Sequence, residues 1–167
     1  MLPTFLALLY PICLIWAAGF DIATMTIPNR LTIGLAVAFV PVALLSHLSL
    51  QGWGIHIGLG VAGLVLGMIL FAFHFMGGGD AKLIAAASLW VGFDGFIALL
   101  LYTAIFGGVL TLGLLMVRRF FSLYQPKLPL WLGQHLEPRG HIPYGVAICA
   151  GGLAAIWQSD FLAMLRF

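Results

Sequence analysis

The sequence predicts an all-α membrane protein, a bundle of about six transmembrane helices with the N-terminus outside. Three observations carry that prediction. Of 167 residues, 63% are apolar and only 7% charged, whereas a soluble domain carries about a quarter charged residues. The mean hydropathy is +1.14. The apolar residues also fall in runs near the roughly 20 residues that a helix needs to cross a bilayer. No polar or low-complexity segment is long enough to form a soluble domain. The net charge of +2 is small, and basic residues do not alternate with aromatics along a face, so nucleic acid is not an expected partner.

Taken in order, residues 2–20 form the first span, with Pro11 as a kink. The run resembles a signal-peptide core, but no Lys or Arg precedes it and further spans follow, so it reads as a transmembrane helix. Residues 31–50 and 55–76 are the second and third spans, and 81–93, at about 13 residues, is a short fourth. Residues 95–117 and 142–157 make the fifth and sixth, and 118–141 is a loop. Basic residues concentrate on cytoplasmic loops. With the N-terminus outside, Arg30, Lys82, Arg118, Arg119, Lys127 and Arg139 all fall on the cytoplasmic side, leaving only Arg166 outside. The 118–141 loop mixes these charges with Phe120, Phe121, Tyr124 and Trp131, as a segment lying on anionic lipid does.

In so apolar a chain each charge needs a reason, and ionisable groups at membrane depth are functional candidates. Asp21 closes the first span and Asp80 follows the third, after Gly77, Gly78 and Gly79. Both spans run the same way, so span length alone brings the two carboxylates to one level. Two carboxyls a few ångströms apart cannot both ionise cheaply and hold one proton between them. The ionised member can take a proton from water while the other polarises a carbonyl, which is the chemistry of peptide hydrolysis by paired aspartates. Gly77 to Gly79 can take backbone angles closed to other residues and admit a substrate strand. Lys82, within a turn of Asp80, is placed to tune or orient it. The plain alternatives are that Asp80 caps a helix and that Asp21 is a solvated loop residue ahead of Pro28 and Asn29.

Other residues carry weaker signals. Cys13 and Cys149 lie in apolar runs and read as small buried hydrophobes. His47, His56, His74, His135 and His141 show no metal spacing, and of these only His74 is near enough in sequence to tune the aspartates. Asp94 reads as a cap for the fifth span. Gly60, Gly63 and Gly67 in span three, and Gly107, Gly108 and Gly113 in span five, are small residues of the kind that let membrane helices pack closely; such a face could also leave a groove for a substrate helix.

Asp21 followed by Ile27-Pro28-Asn29 (D-x5-I-P-N), then Gly77-Gly78-Gly79-Asp80 (G-x-G-D) with Lys82, resembles the bacterial type IV prepilin peptidases, membrane aspartic proteases of the GxGD kind. Ile142-Pro143-Tyr144-Gly145-Val146-Ala147 is similar to that family's Pro-aromatic stretch opening the last helix. The resemblance covers nearly the whole chain and implies a single membrane-embedded peptidase domain over 1–167. It implies that Asp21 and Asp80 are catalytic, with Gly77, Gly78, Gly79, Lys82, Pro28 and Asn29 in supporting or substrate-binding roles. The implied partners are prepilins and pseudopilins, whose basic leader is cut on the cytoplasmic side, and the lipids of the bacterial inner membrane. Neither metal nor cofactor is implied for hydrolysis. Many members also methylate the new N-terminus with S-adenosylmethionine. Longer members carry a domain with paired C-x-x-C motifs between the first two spans, where this chain has about ten residues (21–30). It therefore resembles the short, peptidase-only branch associated with Flp-type (tight-adherence) pili. The rival from another class is a small proton-coupled transporter with Asp21 and Asp80 as proton sites. Against it stand the lack of an inverted repeat and the placing of both aspartates at one face.

Overall fold

A computed structural model describes residues 6–124 and 142–159. The described backbone is helical, with no strand. Five helices follow in order: α1 (Leu9–Thr24), α2 (Asn29–Leu45), α3 (Leu50–Ala72), α4 (Gly78–Tyr124) and α5 (Tyr144–Ala155), the last running into a 3₁₀ turn at Ile156–Gln158. Two of them, α3 and α4, are long and apolar enough to cross a membrane by length and composition. Large apolar side chains cover the outside, Leu50, Met116 and Val109 among them at 89%, 71% and 65% exposed. Water does not tolerate such a surface, and lipid does.

The expected fourth and fifth spans are one continuous stretch broken at Gly92, whose φ of 66° and ψ of −173° are non-helical. That backbone region is essentially confined to glycine. The break gives α4 a first arm ahead of Gly92 and a second arm after it. The fifth span therefore starts directly after Gly92. Asp94, taken above as its cap, lies inside the first turn of the second arm instead, where a negative charge still suits the helix dipole. At its other end α4 stays helical to Tyr124, so residues 118–124 are helix rather than loop. Lys127, Trp131, His135, Glu137, Arg139, His141, Asp160 and Arg166 lie outside the described residues.

Small residues decide which helices touch. Gly63 faces Ser88 and Gly67 faces Ala81; a Cβ at Gly67 would lie 2.7 Å from the Ala81 Cα. The stripe on α3 is thus consumed by the first arm of α4. A second small-residue helix, α5, is wedged between α1 and the second arm of α4. A Cβ on Gly152 would lie 2.6 Å from Leu14 Cδ1, and one on Gly151 would meet the Thr103 backbone N at 2.6 Å. At the centre, Trp90 is fully buried, edge-on to Phe39 at 5.8 Å between centroids, and its Nε1–H donates to the Leu35 carbonyl at 3.1 Å. His56 is buried beside it; its Nδ1 lies 2.7 Å from the carbonyl oxygen of Leu89, just ahead of the break.

His47 and His74 have structural roles that composition hides. Both have positive φ, 49° and 61°, and each ends a helix. His74 N donates to Phe71 O and Phe75 N to Leu70 O, both at 2.9 Å. His47 N and Leu48 N do the same to Leu44 O and Ala43 O at 3.2 and 3.1 Å. These are paired C-terminal caps whose left-handed residue is usually glycine. His74→Gly is therefore expected to be neutral or stabilising by up to about 1 kcal/mol, and His74→Val destabilising by about 1–2 kcal/mol. Thermal unfolding in detergent checks both.

Candidate active site

Asp21 sits within the last turn of α1, not beyond its end, and is 5% exposed. The reading of Asp21 as a solvated loop residue is thereby overturned. Met25, in a left-handed conformation at φ 53°, ends the helix by donating its N–H to the Asp21 carbonyl at 2.9 Å. The chain then turns through Thr26 and the buried Ile27 into Pro28, which precedes α2 with the fixed φ suited to a helix start. The carboxylate of Asp21 accepts the Gly145 N–H at 2.7 Å through Oδ2. Gly145 is the second residue of α5, so the unpaired N–H groups of a helix N-terminus meet a carboxylate there.

Asp80 is 6% exposed. It is not the cap of α4 but the third residue of the helix. Ala81 N donates to Gly77 O at 3.2 Å, and Asp80 Oδ2 reaches back to accept the Gly77 N–H at 2.9 Å, which is the carboxylate half of a capping box. Its other oxygen, Oδ1, is buried without a hydrogen-bond partner among the described residues. Such an atom is expensive unless something arrives to pair with it.

The glycines differ from expectation. Gly78 and Gly79 are already helical, and of the described glycines only Gly92 has positive φ. Their use is proximity rather than unusual backbone angles. A Cβ at Gly79 would stand 3.1 Å from Ile27 Cβ, and one at Gly77 would stand 3.1 Å from Asp80 Oδ2. Either side chain would press the start of α4 away from the Ile27–Pro28 turn or crowd the carboxylate.

The hydrogen bond that Lys82 makes is to another helix. Its Nζ donates to Asn29 Oδ1 at 2.8 Å, tying the start of α2 to the first turn of α4, while Thr32 Oγ1 donates to the Asn29 carbonyl at 3.0 Å. The I-P-N and G-G-G-D-A-K stretches, 53 residues apart at this bond, are thus one physical unit. Lys82→Met and Asn29→Ala are each expected to loosen it. The double variant should lose no more thermal stability than the worse single, since both delete one bond.

The two aspartates share a cavity of about 240 Å³, walled also by Met25, Thr26, Ile27, Asn29, Gly77, Gly78 and Gly79. Among the described residues no group of three or more His, Cys, Asp or Glu gathers as a metal site.

Comparison with protein families matches residues 8–112 to the type IV leader peptidase family. This chain belongs to the type IV leader peptidase family. No curated protein and no solved structure matches it. Membership makes the chain a membrane-associated leader peptidase acting on prepilin-like substrates. The matched stretch holds both aspartates and the I-P-N turn of this peptidase, and stops short of α5. Gly145, which holds Asp21, therefore lies outside it. Sequence reasoning did not single out Gly145 as a site residue. Its only signal was a place in the Pro143-Tyr144-Gly145 run, the Pro-aromatic stretch that opens the last helix.

Proposed function

We propose that the protein is an aspartic endopeptidase that removes the leader of Flp-type prepilins and pseudopilins at the cytoplasmic face of the bacterial inner membrane. The observation that carries this reading is the pairing of Asp21 and Asp80 as walls of one small cavity, each with an oxygen held by a backbone N–H. A backbone N–H fixes one oxygen of each carboxylate, and Asp80 Oδ1, buried with no hydrogen-bond partner among the described residues, is open to water or substrate. In the proposed reaction the pair carries a single proton. The ionised carboxylate accepts a proton from water as the water attacks the scissile carbonyl. The protonated one donates to the carbonyl oxygen, and collapse of the tetrahedral species returns a proton to the leaving amine. Gly77, Gly78 and Gly79 keep the approach to the dyad free of side chains. Pro28, Asn29 and Lys82 hold the I-P-N turn against the start of α4. The whole chain acts as one membrane-embedded peptidase domain, with its N-terminus outside and Asp21 and Asp80 at the cytoplasmic boundary.

A proton-coupled carrier fits the arrangement less well. Both aspartates lie at one end of their helices, where Asp21 closes α1 and Asp80 opens α4, rather than midway along a broken span. The deciding experiment co-expresses the chain with a prepilin and follows leader removal by gel shift and N-terminal sequencing. A single new N-terminus at the leader boundary is expected. Intact prepilin, together with proton-coupled solute flux in proteoliposomes, would favour the carrier.

A further inference from the structure

The two glycine stripes noted in the sequence have different fates. Gly60, Gly63 and Gly67 are filled by the first arm of α4, but Gly108 on the second arm has nothing among the described residues within 4 Å of where its Cβ would stand. It lines a cavity of about 610 Å³ between the end of α3, the second arm of α4 and the start of α5. The Gly92 break creates this space, because the first arm stays against α3 while the second turns back to pack on α5. We propose that this groove holds the apolar helix of the membrane-inserted substrate, directly beyond the bond to be cut. The proposal rests on the peptidase reading and adds to it where the rest of the substrate lies.

Three observations favour that occupant. The first is continuity with the dyad. The groove is lined by Met76, whose neighbour Gly77 donates to Asp80, and by Tyr144, whose neighbour Gly145 donates to Asp21. Ile84, one turn after Asp80, forms part of the same wall. A segment lying there has one end beside both carboxylates.

The second is chemistry. Among the described residues no charged one lines the groove, whereas the cavity next to it holds Asp21, Asp80, Asn29 and Thr26. The pair of spaces sorts a substrate into a polar, extended part at the dyad and an apolar part along the groove. A basic leader has no place in the groove.

The third is shape. The floor includes Ala104, Gly107 and Gly108, and small residues let a second helix backbone come close. Along the second arm the groove runs from Leu100 to Leu112, which at the helical rise is about 18 Å or some three turns. That is over half of the roughly 30 Å hydrocarbon layer, long enough to fix the register of a helix relative to the cut.

The test uses the full chain in vesicles with a synthetic substrate made of a short basic leader and an inserted apolar helix. Gly108→Phe puts a large side chain into the groove from a position where the Cβ itself meets nothing within 4 Å among the described residues. It is expected to raise KM by roughly tenfold or more, the scale on which reshaping an apolar pocket alters discrimination, with kcat within about twofold. Val109→Phe, on a side chain that faces away from the groove, is expected to change neither. A photo-crosslinking residue at position 108 is expected to capture the substrate's apolar segment. If wild type cleaves and Gly108→Phe shows an unchanged KM, the groove proposal fails while the peptidase reading stands. Cross-links only to lipid, or only to a second copy of the chain, also overturn it. Failure of wild type to cleave removes the peptidase reading and the groove with it.

Discussion

Asp21→Asn and Asp80→Asn are each expected to lower leader cleavage by about 10⁴-fold, the upper range for losing a general acid or base, while the protein still folds and inserts. The amide is nearly the same shape as the carboxylate, and its oxygen can still accept the N–H of Gly145 or Gly77 that fixes each side chain. It can neither take a proton from water nor lend one to a carbonyl. The double variant should be no slower than the worse single, because the two groups act as one unit. Asp94→Asn is the internal control. Asp94 is exposed and lies beyond the Gly92 break, at the other end of the first arm from Asp80. Cleavage rates at matched membrane levels decide the matter. Full activity in either dyad variant would end the two-aspartate mechanism, and lost activity in Asp94→Asn would show that charge in general is being read.

Much of this architecture was legible because a bilayer imposes strong rules. Span lengths and apolar runs gave the helical bundle, and the same lengths placed Asp21 and Asp80 at one level. Contacts between helices were not legible in the same way. Lys82 was expected to tune or orient Asp80 from its spacing within one turn, but the hydrogen bond its long side chain makes is to Asn29 on α2. The role of His74 depends on one φ angle, which composition does not carry. Gly77 to Gly79 were expected to supply unusual backbone angles and supply closeness instead, because Ile27 of another turn packs on Gly79. Gly145 was hidden for a related reason. Its importance comes from a partner 124 residues away, and nothing local to the α5 sequence announces which carboxylate its N–H will meet.

Gly145→Ala is expected to be nearly as damaging as loss of an aspartate, although it adds only one methyl group. The new Cβ would stand 2.8 Å from Asp21 Oδ2 and 2.9 Å from its Cβ. These atoms cannot swing aside as the tip of a long side chain would. Nor can α5 retreat, since Gly151 and Gly152 lock it against Thr103 and Leu14 with no room for displacement. The strain must then fall on the Asp21 side chain or on the 2.7 Å bond that holds it. A shift of about 1 Å in a reacting group costs roughly 10²-fold in rate, so kcat should fall by at least that much with KM little changed. Stability should fall as well, by about 1–3 kcal/mol, as for an overpacked core. Gly58→Ala separates this from a general intolerance of alanine. Gly58 lies within α3 with nothing within 4 Å of a new Cβ, so replacing it removes a helix-weakening glycine and is expected to raise stability by up to about 1 kcal/mol. Parallel unfolding and cleavage measurements read both variants. A Gly145→Ala protein that kept wild-type kcat would show that the start of α5 can move, and that the Gly145 N–H does not position Asp21.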